Sequence, residues 1–227
     1  MHKLESQIYK SKLQTTSEEF KKNKESMLGM LEEIDDLLDE AEAGGGPDHQ
    51  KRLAARGKLP VRERIFNFLD PDSPFLEISG LAGYKSDYPV GGGAVAGIGV
   101  CSGIECIIFA NDPTVLAGAM HFYSVKKWMR AMQIARDSRL PFIQFVESAG
   151  GDLRPKSNAV VGGTTHFAES GRQFYEITEL SKLNIPTVAV AVAVGVALAF
   201  ACRIRIRIRI RNSSSARAAL EFAFAPA

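Results

Sequence analysis

The residues best suited to chemistry form a glycine turn, Val146-Glu147-Ser148-Ala149-Gly150-Gly151, directly after a run of apolar residues. A turn of small residues presents backbone N–H groups with no side chain in the way. Two such groups about 3 Å from a carbonyl oxygen stabilise the negative charge of an enolate. The alternative is a plain structural turn, in which Glu147 and Ser148 act only as turn-stabilising polar groups.

Motifs of the common hydrolase, nucleotide and zinc sites are absent from the sequence. G-x-S-x-G, G-x-x-x-x-G-K-[ST] and H-E-x-x-H do not occur. Gly97 and Gly99 begin a dinucleotide fingerprint that lacks its third glycine, which favours close packing of a strand instead. The histidines and cysteines show no informative spacing; they are His2, His49, His121, His166, Cys101, Cys106 and Cys202. We therefore expect neither a metal site nor a disulfide framework.

The composition is that of a globular protein. The chain has 227 residues, of which 45% are hydrophobic and 24% charged, enough for one large domain or one and a half small ones. No run reaches the roughly 18 apolar residues of a membrane span, and the first residues lack the apolar core of a secretory signal. We expect a soluble intracellular protein.

A long amphipathic helix is predicted at the start of the chain. Thr16, with Glu19 three residues later, forms a capping-box start, and the run from Gly44 to Pro47 ends the helix. Its apolar residues fall on one stripe: Phe20, Met27, Leu31, Ile34, Leu38 and Ala41. We interpret the stripe as packing across the main domain; a partner-binding helix is the alternative.

The middle of the chain reads as an α/β domain. Helices are predicted at 49–56 and 60–69, followed by strands at 75–78, 94–100 and 104–110, with a hairpin at Ser102-Gly103. A helix at 123–138, a strand at 142–146, a helix at 167–183 and a strand at 187–194 complete the pattern. In the helix at 123–138, Lys126, Lys127 and Arg130 lie away from the apolar face. This order predicts strands that are buried by helices.

The end of the chain differs from the rest. Residues Arg203 to Arg211 alternate arginine and isoleucine, which gives a strand one basic and one apolar face. The low complexity favours a reading-frame or assembly artefact. A poorly packed strand, or a basic arm for phosphates or membrane headgroups, are the alternatives. We expect no binding to nucleic acid or to a membrane.

Several longer segments resemble a known family, the carboxyltransferase (β) subunits of biotin-dependent acyl-CoA carboxylases. The resemblance runs in order over roughly residues 5 to 190. It is carried by the segments Gly57 to Ile65, Leu69 to Ile78, Gly97 to Val115, Ser124 to Pro141, Phe145 to Leu153 and Thr165 to Val190. The family reaction moves a carboxyl group from carboxybiotin to the α or vinylogous γ carbon of an acyl-CoA.

The resemblance implies a crotonase-like (ClpP/crotonase) ββα spiral, the N-terminal half of a carboxyltransferase, preceded by helices. Carried over, the catalytic turn that holds the thioester oxygen falls on Ala149 and Gly150, with Gly151 adjacent. The cofactor is biotin, carried by a partner α subunit that contains biotin carboxylase and the biotin carrier, and the substrate is an acyl-CoA. The β subunits form a homo-oligomer, in the bacterial cytoplasm or the mitochondrial matrix.

The sequence pattern and the resemblance together divide the chain into three regions. These are an N-terminal helical segment at 1–56, a partial carboxyltransferase domain at 57–194 and a tail at 195–227 that departs from the family. In the family the active site lies between the first domain of one subunit and the second domain of another. We therefore expect this chain to be truncated and inactive alone, with weak acyl-CoA binding through the turn and the basic helix of Lys126, Lys127 and Arg130. A non-catalytic CoA-binding or assembly fragment is the alternative.

Overall fold

The computed structural model describes residues 11–152, 167–191, 205–208 and 220–223, and it divides into two units. The first unit, Met1–Leu37, contains most of helix α1 (Glu18–Ala43). Ser17 Oγ accepts the N–H of Phe20 at 3.2 Å, so the helix cap lies one residue later than predicted, because Thr16 lies in the preceding turn. The stripe residues Met27, Leu31 and Ile34 are exposed, and the surface they pack against stays a prediction.

The second unit, Leu38–Ala227, contains two short helices after the end of α1. Helix α2 spans Pro47–Ala55 and helix α3 spans Val61–Phe68. Both agree with the sequence prediction to within two residues, except that Pro60 is the N-cap of α3 rather than part of its first turn. Each helix buries a few apolar side chains, Leu53 in α2 and Val61 and Ile65 in α3.

A five-stranded sheet forms the centre of this unit, in the order β1-β2-β3-β4-β5. The strands are β1 (Leu76–Glu77), β2 (Ala94–Cys101), β3 (Ile104–Asn111), β4 (Phe142–Val146) and β5 (Thr187–Ala191). Strands β1 to β3 are antiparallel and β3 to β5 are parallel. Helices α4 (Phe122–Ser138) and α5 (Phe167–Lys182) make the two crossovers. The predicted α/β order is confirmed, and residues 192–194 of the last predicted strand lie outside the described residues.

Strand β3 is buried on both faces, which explains its continuous apolar sequence. Ile107 and Phe109 point to the side of α4 and α5, where they pack with Trp128 and Leu180. Ile108 points to the other side, in the cluster that contains the buried side chains of α3. The alternation with a period of two places adjacent residues on opposite faces of the sheet.

The two glycines of β2 allow neighbouring side chains to lie directly against the strand, as the sequence predicted. A Cβ on Gly97 would lie 2.4 Å from the ring of Phe75, and one on Gly99 would lie 2.6 Å from the side chain of Leu69. At Gly97 the backbone oxygen of Leu76 also lies 2.7 Å from such a Cβ, so a side chain there would require the backbone to shift, whereas at Gly99 only the Leu69 side chain would have to move. These contacts agree with a packing role for both glycines.

Part of the tail forms a separate two-stranded ribbon. Strand β6 (Arg205–Ile208) pairs antiparallel with β7 (Leu220–Ala223), with Arg205 opposite Ala223. The extended backbone predicted for the arginine-isoleucine repeat is confirmed for these four residues. The rest of the tail, with Cys202, and residues 153–166 lie outside the described residues.

Lys127 corrects one of the sequence predictions, because it does not lie on a solvated face of α4. Its side chain is 2% exposed, and its Nζ donates to the carbonyls of Gly91 at 3.2 Å and Ala94 at 2.7 Å. The long stem reaches across the helix surface to the carbonyls before and within β2. Burial lowers the pKa of Lys127 from 10.5 to about 8.

This burial predicts a pH-dependent stability. Between about pH 8 and 10.5 the unfolded chain holds a proton on Lys127 that the folded chain has released, so the free energy of unfolding should rise with pH across that window. The rise corresponds to about 3 kcal/mol. Urea unfolding of the wild type and of Lys127→Met at a series of pH values measures this rise. The free energy of unfolding of the wild type minus that of Lys127→Met should increase across the window. The control Lys126→Met, at the exposed neighbour, should leave the rise in place, and parallel curves for wild type and Lys127→Met would contradict the prediction.

Candidate functional site

The glycine turn lies at the carboxyl end of β4. Because β3 and β4 are parallel neighbours, the loop after β3 and the turn after β4 meet at the same edge of the sheet, where ligands of α/β proteins commonly bind. Ser148, Ala149, Gly150 and Gly151 are all exposed. The turn is therefore accessible to a ligand.

The three predicted N–H donors of the turn differ in whether they already have an acceptor within the protein. The N–H of Ala149 donates to Ala117 O at 3.1 Å. The N–H of Gly150 donates to Ser148 Oγ at 3.1 Å, a local contact within the turn. Among the described residues the N–H of Gly151 has no acceptor. A ligand oxygen thus finds the N–H groups of Gly150 and Gly151 available more readily than that of Ala149.

The loop after β3 supports the turn through its backbone. Leu116, Ala117 and Gly118 all have positive φ, at 49°, 53° and 72°, a conformation that costs energy for residues with a Cβ. It brings Gly118 so close to Glu147 that an added Cβ would lie 1.9 Å from the Glu147 carbonyl oxygen. Met120 continues the contact, with its N–H donating to Gly150 O at 2.7 Å. Strained backbone of this kind is typical of functional sites.

Glu147, the residue of the turn that directly follows β4, forms two ion pairs. Its carboxylate lies 2.5 Å from Lys58 Nζ and 2.5 Å from Arg64 Nη1. The side chains are 9% exposed for Glu147 and 12% for each cation. The sequence predicted a turn-stabilising role for Glu147, and these contacts agree with it. Nothing in the sequence indicated Lys58 and Arg64 as its partners, because they lie more than 80 positions earlier in the chain.

A cavity of about 470 Å³ opens beside the turn. Arg52 of helix α2 and Arg56, the residue directly after this helix, line one side, and the loop after β3 and Glu147 line the other. Within the described part of the chain neither arginine has an ion-pair partner. Sequence analysis missed this cavity, although Arg52 and Arg56, at a spacing of four, place two basic side chains at the end of α2.

The basic residues of α4 do not reach the cavity. Lys127 is buried as described, Lys126 Nζ lies 4.2 Å from the centroid of the Phe122 ring, and Arg130 donates to Gln133 at 3.1 Å. None of the three lines the cavity. Lys127 is buried and cannot offer its charge to a ligand at the surface, whereas acyl-CoA binding by the exposed Lys126 and Arg130 stays a prediction.

Comparison with known protein families adds a second, independent observation. The family described as "Carboxyl transferase domain" matches residues 52–208. The chain belongs to this carboxyl transferase family. The match contains α3, the whole sheet with the glycine turn, and both crossover helices.

Relatives within the family carry acyl-CoA carboxylase names. The chain is 46% identical over 164 residues to a probable biotin-dependent acyl-coenzyme A carboxylase beta2 subunit of Mycobacterium tuberculosis, covering 72% of this chain and 30% of the relative. It is 38% identical over 192 residues to a probable mitochondrial methylcrotonoyl-CoA carboxylase beta chain of Drosophila melanogaster, covering 83% and 32%. This carboxyl transferase chain thus spans about a third of the length of these relatives.

Solved structures show the same fold. The beta subunit of geranyl-CoA carboxylase from P. aeruginosa superposes with a TM-score of 0.66 at 35% identity, over 80% of this chain and 33% of the other. Transcarboxylase 12S, solved with methylmalonyl-coenzyme A bound, superposes with a TM-score of 0.63 at 25% identity, over 74% and 32%. The predicted crotonase-like fold is confirmed. In the described residues no helix is long and apolar enough to cross a membrane.

Proposed function

We propose that this chain is the acyl-CoA-binding, N-terminal part of a carboxyltransferase subunit of a biotin-dependent acyl-CoA carboxylase. The observation that carries the proposal is the family match over residues 52–208, which includes an accessible turn with backbone donors beside a basic cavity. The Mycobacterium tuberculosis relative is named as a subunit of a biotin-dependent acyl-coenzyme A carboxylase, and the Drosophila melanogaster relative as a chain of a methylcrotonoyl-CoA carboxylase. The substrate here is accordingly an acyl-CoA.

The turn supplies stabilisation of the enolate. Removal of a proton from the carbon next to a thioester moves negative charge onto the thioester oxygen. The N–H groups of Gly150 and Gly151 donate to that oxygen, with the ligand replacing the weak local contact to Ser148 Oγ. Preorganised donors of this kind lower the barrier because their charge is in place before the reaction. Carboxybiotin, on its carrier, supplies the carboxyl group.

Ala149 takes a different part in this proposal from the two glycines. Its N–H is bonded to Ala117 O, so we assign it the role of joining the turn to the loop after β3. Ala149 remains a residue of the catalytic turn, because its position fixes the direction in which the N–H groups of Gly150 and Gly151 point.

The cavity beside the turn fits the phosphate end of coenzyme A. Arg52 and Arg56 present two guanidinium groups without ion-pair partners among the described residues, and guanidinium binds phosphate in bidentate geometry. A thioester on the turn and phosphates against α2 would place one acyl-CoA along the cavity.

The partners follow from the same relatives, which are named as β subunits and chains. We propose an α subunit with biotin carboxylase and biotin carrier, a homo-oligomer of β subunits, and the part of the carboxyltransferase that forms the biotin side of the site. Three relatives are named as mitochondrial, and we propose the mitochondrial matrix or the bacterial cytoplasm as the location.

A hybrid subunit tests the function. Residues 1–191 are joined to the remainder of the Mycobacterium tuberculosis relative, beyond the region it shares with this chain, and assayed with an α subunit, ATP, labelled bicarbonate and several acyl-CoAs. We expect fixation of label onto an acyl-CoA by the hybrid, and none by the 227-residue chain alone, because donors on both reacting centres are needed for the rate.

The controls are the complete relative, which should be active, and its C-terminal part alone, which should not. A folded hybrid that binds acyl-CoA but fixes no label would support the non-catalytic CoA-binding alternative. Fixation by the 227-residue chain alone would contradict the requirement for the second half of the site.

A further inference from the structure

The ion pairs of Glu147 connect the glycine turn to a distant part of the chain. Lys58 lies in the connection between α2 and α3, and Arg64 lies within α3. The carboxylate uses one oxygen for each cation, Oε1 for Lys58 and Oε2 for Arg64. Arg64 is itself oriented by a second bond, from its Nε to Leu59 O at 2.7 Å. The carboxylate therefore has two donors from one stretch of chain, Lys58 just before α3 and Arg64 within it.

Such a buried cluster is a costly way to stabilise a protein. Desolvation of three charged groups offsets most of their attraction, so a buried ion pair is weak support for stability by itself. Its geometry is specific, however, because charge-assisted bonds are short and directional. The cluster holds one side of the turn, and the contacts of Ala117 and Gly118 hold the other.

We propose that Lys58, Glu147 and Arg64 are positioning residues that fix the backbone from Ala149 to Gly151, so that the amides of Gly150 and Gly151 face the thioester oxygen. None of the three donates to the substrate oxygen; they act through the backbone of the turn. Lys58 and Arg64 also offset the negative charge of Glu147, the member of the cluster that lines the cavity, so that its carboxylate does not repel an anionic ligand. The positioning role rests on the function proposed above. The first test measures the position of the turn without any ligand, so its result does not depend on that function.

The first test measures hydrogen exchange of the Ala149 amide in the free 227-residue chain, because this amide donates to Ala117 O and reports the position of the turn. Lys58→Met removes one cation and keeps the apolar stem. A lost bond to a charged group is worth about a factor of ten or more in an equilibrium, so we expect exchange at Ala149 about tenfold faster. Exchange at Ile107 and Phe109, in the buried strand β3, should not change.

The matched control is Lys51→Met, an exposed lysine of α2 with no ion-pair partner in the described residues, which should leave Ala149 exchange unchanged. Arg64→Lys keeps the charge and should have a smaller effect than Arg64→Met. If Lys58→Met is too unstable to purify, Glu147→Gln and Arg64→Lys carry the test. Unchanged exchange at Ala149, or equal acceleration at Ala149 and in β3, would overturn the proposal, since the second result indicates only a general loss of stability.

The second test follows the thioester itself, by infrared spectroscopy of an acyl-CoA with a ¹³C-labelled carbonyl bound to the chain. The carbonyl stretch should move to lower frequency in the wild type, and this shift should shrink in Lys58→Met, while the affinity for free coenzyme A stays the same. Absence of acyl-CoA binding by the wild type would contradict the proposed function, and the exchange result would still decide the positioning role. A full carbonyl shift in every cluster variant would overturn the positioning role alone.

Discussion

Replacement of Gly150 by valine should lower carboxylation by the hybrid subunit about 100-fold or more, the scale of losing one oxyanion donor. Gly150 has φ of 103°, which a β-branched residue rarely adopts. The substitution would therefore rotate the amides of Gly150 and Gly151 away from the thioester oxygen. Nothing lies within 4 Å of a Cβ at this position, so a clash in the free protein does not contribute.

The matched control for this substitution is Gly103→Val, in the hairpin between β2 and β3. Gly103 also has positive φ, at 77°, and open space around a Cβ, so its replacement causes similar backbone strain away from the turn. The control should change the free energy of unfolding by a similar amount and leave carboxylation within about twofold of the wild type, because it touches no donor. Equal turnover by the two variants would remove the glycine turn from the mechanism.

Substitution of alanine for Gly118 should have the largest effect on stability. A Cβ there would lie 1.9 Å from the Glu147 carbonyl oxygen, and this atom belongs to the backbone and cannot rotate away. Separation of the two loops would break the bond between Ala149 and Ala117. We expect a loss of roughly 3 kcal/mol or more in the free energy of unfolding, the upper range for an overpacked site.

Gly57→Ala is the control for the backbone conformation alone. Gly57 has φ of 67° with no atom within 4 Å of a Cβ, so its replacement should cost only about 1 kcal/mol. Urea unfolding of both variants measures the difference. If Gly118→Ala is no less stable than Gly57→Ala, the close contact between the loop after β3 and the turn is not maintained in solution.

Local pattern predicted most of the secondary structure of this chain. The strand at 142–146 and the hairpin at Ser102-Gly103 were predicted with their observed bounds, because alternation and turn residues act over a few neighbouring positions. The cap of α1 was placed one residue early, since Thr16 and Ser17 are both acceptable caps and the turn before the helix selects between them. Lys127 was misplaced because helical periodicity does not show that a long side chain can reach buried carbonyls.

The sequence by itself determined the order of helices and strands, the position of the glycine turn and the family, because each of these depends on residues that are contiguous in the chain. Only the tertiary structure decided which amides of the turn are available, that Glu147 is held by Lys58 and Arg64, and that two arginines at the end of α2 line the cavity. Lys58 and Glu147 are 89 positions apart. Contacts over such distances depend on how the loops after β3 and β4 and the helix α3 pack at one edge of the sheet, and that packing is a property of the whole fold.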